Sequence, residues 1–583
     1  MRDLKELTGY DIITEEKIPE VNGTGYILSH KKTKARVLVI ANDDENKVFN
    51  IGFRTPPYDD SGIPHILEHS VLCGSRKYPV KDPFVELAKG SLNTFLNAMT
   101  YSDKTVYPIA SCNEKDFENL MDVYLDAVFY PNIYEHTEIM RQEGWHYELE
   151  TVEGELIYNG VVFNEMKGAF SSPEQQMYSK IEKLLLADTP YKNESGGDPA
   201  AIPTLSQERF LDFHRKYYHP SNSYIYLYGD LDMYKELDYI DKEYLSSFDY
   251  REIDSTIAVQ TAYEQMKDES CFYSIAENES EENQTFLTYN MVVGSSLDKK
   301  QSVAMNILEY AIMDAPGAPL KKALVDAGIG EDVFASFDDG IRQTIFSIVA
   351  RNANMSDKER FVSVIRDTLT DLSGHGEEGK AIDRTSIEAA INNFEFKHKE
   401  ANFGRFPKGL MMGLDAFNTW LYDDASALEM FKLNEVYDEL KESLKTGYFE
   451  ELIWEKLVQN TFGMIFVMKP KKGLDKENDA AEKQKLADYK ASLTENELEQ
   501  VVSDTKELKL YQETPSPAED MEKVPLLNIS DIRKEIHPLK NREDSIYGMP
   551  LISHDIFTNG IGYLEFIFDI NDLDAEFVPY AEL

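Results

Sequence analysis

The sequence predicts an α+β fold built from repeated units, each an antiparallel sheet with helices covering one face. Three observations carry this. Short apolar or alternating runs of strand period are interspersed with longer runs of helical period. The order in which they occur recurs in the second part of the chain. The length, 583 residues, is more than one hydrophobic core serves.

The first unit, assigned to residues 1–255, opens with strands at "GYILSH" and "ARVLVIAND" about the turn "KKTK", then "KVFNIGFRT". A helix follows, with Ser61 as its cap, Pro64 in its first turn, Ile66, Leu67, Val71 and Leu72 as its apolar positions, and Gly74 at its end. Next come a strand at "TVYPIAS", an amphipathic helix "NEKDFENLMDVYLDAVF" capped by Asn113, a strand "ELIYNGVVF", a helix from about Asn164 and a closing strand "SYIYLYGDL". The second unit, 256–470, repeats the order with "CFYSIAENESEENQTFLTYNMVV", the helical "KQSVAMNILEYAIM", the strand "TIFSIVARNA" and the capped helix "SDKERFVSVIRDTLTDL". If "HILEH" and "NILEY" are equivalent, Asn306 and Tyr310 stand where the first unit has histidines. Residues 471–535 read as a charged helical hairpin, and 536–583 restart a strand-strand-helix order.

With 105 Asp and Glu against 60 Lys and Arg, the net charge of −45 argues against a nucleic-acid or anionic-membrane surface and suits solubility or basic ligands. Three scattered cysteines, Cys73, Cys112 and Cys271, give neither a disulfide framework nor a cysteine metal site. The N-terminus carries acids and no apolar leader, and no long apolar run follows, so a cytoplasmic protein is expected. No Gly-rich phosphate loop of either common pattern is present.

The chemistry concentrates in "SGIPHILEHSVLCGS", residues 61–75. Histidines four apart share a helix face, so His65 and His69 can reach one cation. Glu68 lies about 100° from His69 and about 60° from His65 around the helix, close enough to serve a metal-bound water without being a ligand, the inverted order H-x-x-E-H. With 11 histidines in the chain, chance alone gives about 0.02 such motifs. The alternative is a pair of partly buried, hydrogen-bonded histidines. A catalytic zinc takes a third protein ligand. Glu165, at the expected start of a helix after an apolar strand, is one candidate, and Glu143 in "RQEGWHYE" is the other. His136, His146, His214 and His219 fit structural roles better.

Taken together, "GIPHILEHSVLCGSRKYPVKDPF", "LNTFLNAMTYSDKTVYP", "GVVFNEMKGAF", "SGGDP" and "YYHPSN" resemble the presequence-protease branch of the pitrilysin/insulinase metallopeptidases, in the expected order and over essentially the whole chain. The resemblance implies four homologous domains in two halves, joined by the helical hairpin around a peptide chamber. This chain would hold a catalytic zinc-binding pitrilysin-like domain, a homologous domain without metal ligands, the hairpin and the start of a third domain. Zinc would be held by His65, His69 and Glu165, with Glu68 as catalytic base and a substrate-binding edge strand near Asn97, Ala98 and Met99. The implied activity is zinc-dependent hydrolysis of unstructured peptides; the alternative is a catalytically inactive scaffold or peptide-binding subunit. Peptides and the C-terminal half missing from this chain are the expected partners, neither nucleic acid nor membrane is, and the full-length protein would be a monomer. The missing half would supply an arginine and a tyrosine beside the scissile carbonyl, so low activity is expected of this chain alone.

Overall fold

A computed structural model describes residues 2–581 other than 378, 380, 537 and 539. Strands β1 (Tyr10–Ile18), β2 (Gly23–His30), β3 (Arg36–Ala41) and β4 (Lys47–Arg54) precede the motif helix (Ile63–Val71). β5 (Asn93–Leu96), β6 (Met99–Thr100) and β7 (Lys104–Ser111) follow it, β8 (His146–Glu148) and β9 (Ile157–Asn159) form a separate hairpin, and β10 (Ser223–Gly229) closes the unit. The sheet order is β1-β2-β3-β10-β4-β7-β5, with β6 also on β7. The last strand is thus inserted between β3 and β4, parallel to the first and antiparallel to the second.

The second unit repeats this device. Its strands β11 (Lys267–Ile275), β12 (Thr285–Ser295), β13 (Asp332–Asp338), β14 (Gln343–Ala353) and β15 (Gly463–Lys472) order as β11-β15-β12-β14-β13. The closing strand β15 again lies between the first two, parallel to β11 and antiparallel to β12. Two units with one insertion pattern are homologous halves of an α+β chain.

The expectation that helices cover one face of each sheet is corrected by the structure, because both faces are covered. On β10, Ile225 and Leu227 point to one side with the motif helix residues Ile66, Leu67 and Val71, while Tyr224, Tyr226 and Tyr228 point to the other, as the two-residue strand period requires. That second face is sealed by a helix of the second unit, Lys408–Trp420, through Leu410, Phe417 and Trp420. Gly409 and Gly413 let this helix lie on the tyrosine rings: a Cβ on either would come within 2.1 or 2.3 Å of Tyr228 or Tyr226 carbons. The exchange is reciprocal. Helix Pro173–Leu185 of the first unit sets Met177, Ile181 and Leu185 against Phe286, Val349, Phe466 and Met468 of the second sheet. Between the units Asp103 Oδ2 accepts from the hydroxyls of Tyr191 (2.7 Å) and Tyr422 (2.5 Å), and Lys104 Nζ donates to the Gly340 carbonyl (2.8 Å).

Several local expectations are also corrected. Ser61 does not cap the motif helix: its hydroxyl donates to Asp59 Oδ1 (2.5 Å), and Gly62, at φ 69°, takes the cap position. The strand expected over "ELIYNGVVF" stops at Asn159. Helix Val161–Ala169 begins three residues earlier than Asn164, because Gly160, at φ 156°, turns the chain where a Cβ would meet the Gly144 carbonyl at 2.2 Å. In the last segment β16 (Asn541–Ile546) and β17 (Met549–His554) pair only with each other, and "NGIGYLEFIFDIND" forms neither strand nor helix. With no third strand beside it, that run leaves Leu564, Phe566, Ile567 and Phe568 exposed. Helices Leu474–Ser492 and Glu495–Glu513, joined by two residues and started by a Thr494–Glu497 capping box, pack on the first unit. Thr505 Oγ1 accepts from the Leu149 amide (3.0 Å), and Arg141 donates to the Asp504 carbonyl (2.9 Å). Among the described residues no helix is long and apolar enough to cross a membrane.

Candidate metal centre

The motif helix is placed by its apolar side. Ile66, Leu67 and Val71 are buried against the sheet, and His65 and His69 come together off that face, near Glu165. Its N-terminus is pinned by a second loop: Gly62 packs on Gly196 and Gly197, where an added Cβ would lie 2.8 Å from the Gly196 oxygen. The sequence marks this loop only as "SGGDP"; its reason is close approach to the helix.

Each histidine is oriented through Nδ1. His65 Nδ1 lies 3.0 Å from the Gly196 carbonyl, and a carbonyl only accepts, so Nδ1 carries the proton and Nε2 keeps its lone pair. His69 Nδ1 lies 3.3 Å from Glu143 Oε2, with the same consequence. The rings stand nearly perpendicular at 80°, centroids 4.9 Å apart. Glu165, in helix Val161–Ala169, brings Oε2 to 3.8 Å from His65 Nε2 and 3.7 Å from His69 Nε2. Two imidazoles and a carboxylate therefore converge on one point. Ligand atoms of a tetrahedral zinc sit about 3.4 Å apart, so the two carboxylate-to-imidazole distances are a few tenths of an ångström wider than in a loaded site, and the donor types fit one.

Glu143 is placed behind His69 rather than in this set. Its carboxylate also accepts from Gln142 Nε2 (2.7 Å) and Cys73 Sγ (3.5 Å). Burial pushes the Glu143 carboxyl up, and the hydrogen bonds from His69, Gln142 and Cys73 outweigh it, leaving it below the ordinary range. For His69, burial favours the neutral ring, but the hydrogen bond to Glu143 and the charges of Glu68, Glu143 and Glu165 raise it overall. Glu68, buried on the same helix, stays outside the convergent set, and no described residue donates a hydrogen bond to it. The phenol of Tyr101, raised by burial and by Asp415, also feels the Glu68 charge; sequence reading did not single out this tyrosine.

Asn97 and Ala98 connect β5 to β6, which begins at Met99. β6 pairs with β7 alone among the described strands and packs beside the motif helix, so its other edge is free. Three other histidines serve the fold. His214 bridges the Tyr134 hydroxyl (2.7 Å) and the Val128 carbonyl (3.0 Å), His146 donates to the Arg141 carbonyl (2.7 Å), and His219 accepts from the Ser221 amide (3.1 Å). In the second unit Asn306 bonds Asp339 (3.3 Å), and no trio of His, Cys, Asp or Glu converges there among the described residues. A second acidic trio, Glu114, Glu118 and Glu236, also converges, but the Lys235 ammonium lies against Glu114 and Glu118.

Family models match the chain in three places: Insulinase (Peptidase family M16) over residues 48–179, Peptidase M16 inactive domain over 204–394, and the domain associated with subfamily C of the same peptidases over 468–583. The chain is 47% identical over 576 residues to Protein HypA of Clostridium perfringens, covering 99% of this chain and 59% of that one. It is 40% identical over 590 residues to Presequence protease 1, chloroplastic/mitochondrial, of Arabidopsis thaliana, covering 100% and 54%. The chain thus spans little more than half the length of these relatives. In fold it is similar to a protease from Helicobacter pylori (TM-score 0.57, 16% identity, 77% of this chain and 100% of that one) and to pitrilysin (TM-score 0.54, 17% identity, 80% and 47%). Glu165 and both motif histidines fall within the Insulinase match, and the unit without a convergent ligand set overlaps the match described as inactive. By sequence and fold the chain belongs to the presequence-protease branch of the pitrilysin/insulinase (M16) peptidase family.

Proposed function

We propose that this chain carries the catalytic centre of a zinc-dependent endopeptidase acting on unstructured peptides. The convergence of two proton-anchored imidazoles and Glu165, with a buried carboxylate beside them and outside the set, is the observation that carries this reading. His65 and His69 would hold zinc through Nε2 and Glu165 through Oε2. When bound, zinc supplies a Lewis acid that brings the pKa of a water toward about 7 and polarises a carbonyl.

The remaining work belongs to the chain's own side chains. Glu68 takes the proton of the attacking water and returns it to the leaving amine, a role for a carboxylate near the metal and free of other partners. The open edge of β6, with Asn97, Ala98 and Met99, receives the peptide as an added strand, so affinity comes from main-chain hydrogen bonds and depends little on side chains. Digestion of a mixed peptide library with and without chelator tests the reading: cleavage abolished by chelator and restored by zinc supports it. Stoichiometric zinc with no turnover of any peptide would leave the scaffold alternative standing instead.

A further inference from the structure

At one end of the first sheet, where β2, β3 and β4 meet the segment leading to the second unit, lies a cavity of about 650 Å³. None of its walls belongs to the metal centre. Six lining side chains are cations, Lys31, Lys32, Lys34, Arg36, Arg54 and Arg251, against two carboxylates, Glu252 and Asp424. In a chain of net charge −45 this is a local reversal of sign. Part of it is spoken for at the rim, where Lys31 and Lys32 lie 3.7 and 3.1 Å from Asp11 and Asp249.

The arginines are fixed in place with donors to spare. Arg36 Nε donates to Asp424 Oδ1 (2.5 Å) and Nη1 to the Ser221 carbonyl (3.3 Å). Arg54 donates to Ser255 Oγ (3.1 Å) and the Leu421 carbonyl (2.9 Å), and both guanidiniums lie over the Tyr224 ring at 4.8 and 5.8 Å. Each guanidinium has five N–H donors, so most remain unspent. The Lys34 ammonium has no ion-pair partner among the described residues, and its backbone holds a left-handed φ of 62° at the β2–β3 turn. Trp420, on the same wall and 0% exposed, backs the site with its ring, packed edge-on against Tyr224.

We propose that this cavity binds a phosphate-class oxyanion. Guanidinium forks and an ammonium donate, which suits the acceptor-only oxygens of such an ion. The volume exceeds what a bare oxyanion needs, and the exposed side chains of Ile13 and Tyr250 on the wall give an organic body something to pack against.

The test is calorimetric titration of the full chain with inorganic phosphate and with phenyl phosphate, at ionic strength held constant with NaCl. Saturable binding is expected, weakened about tenfold by Lys34→Gln, an exposed turn position away from the metal centre, and by Arg36→Gln, which removes one guanidinium fork. Tighter binding of the ester assigns the site to an organic phosphate, and equal binding to the free ion. Absence of saturable heat for both probes at tens of millimolar, or affinity unchanged in both variants, overturns the proposal and leaves the cations as a clamp on the inter-unit segment.

Discussion

Glu68 and Glu143 are both buried carboxylates near His69, and their surroundings separate their work. Glu143 is saturated with donors, whereas Glu68 has none among the described residues. Glu68→Gln, which preserves size, should retain zinc and lose about 10²–10⁴ in peptide turnover; a metal-replete variant with near-normal turnover would remove Glu68 from the mechanism. Zinc titration separates the other two acids. Glu143→Gln should weaken affinity by about 10–100-fold, the usual cost of losing a group that orients a ligand, and Glu165→Gln by more. The reverse order would exchange their places. The His65-Glu68-His69 spacing was legible because a helix converts sequence offsets directly into angles. The part played by Glu143 was not, because only the packing of helix Thr137–Glu143 against the motif helix turns its carboxylate toward the back of His69. A different histidine, His214, contributes to acid stability. Burial lowers His214 from 6.5 to about 4, so the folded state keeps it neutral while an unfolded chain would protonate it. Its contribution is whole above pH 6.5 and is lost as pH falls toward about 4. Urea midpoints at pH 7 and pH 5 should therefore converge in His214→Gln relative to the parent; an identical pH slope in both would assign the acid lability elsewhere.

At the scale of elements, strands with a dense apolar run, such as β3, β4 and β10, could be read directly. β1 was missed because it is an edge strand whose middle carries Glu15, Glu16 and Lys17, with a register shift between Ile12 and Thr14. The opposite error befell "NGIGYLEFIFDIND", where strand-like composition met no partner edge. Helix Lys408–Trp420 shows what pattern alone could not convey. Its apolar residues announce a buried helix, but nothing local says that the surface burying it belongs to the other unit. Gly413→Ala tests how close that contact is: the new methyl would press on the Tyr226 ring, at an expected cost of about 1–3 kcal/mol in denaturant unfolding. A neutral result would mean that the ring has room to turn away.

The whole molecule is organised by the reciprocal trade of helices Pro173–Leu185 and Lys408–Trp420, each of which completes the neighbour's core. Two copies of one unit that swap an arm across a common seam are what an intertwined dimer looks like, and here the two subunits happen to share a peptide bond. The stretch joining them, residues 249–266, contains neither helix nor strand, and Tyr250, Arg251 and Glu252 are exposed. Beyond them Ser255, Ile257 and Gln260 are buried, and Gln260 bonds both Asp188 and Gln343, so past its exposed start the link is itself anchored. A single proteolytic cut after Arg251 should leave both fragments co-eluting as one particle in native gel filtration, and only denaturant should part them; fragments that separate on cutting would show that the seam is weaker than its packing implies. By the same reasoning, the first unit expressed without its neighbour would present Tyr224, Tyr226 and Tyr228 bare to water and should be recovered as aggregate unless the other piece is made alongside it. In its packing the chain resembles a pair of interlocked subunits more than a string of beads.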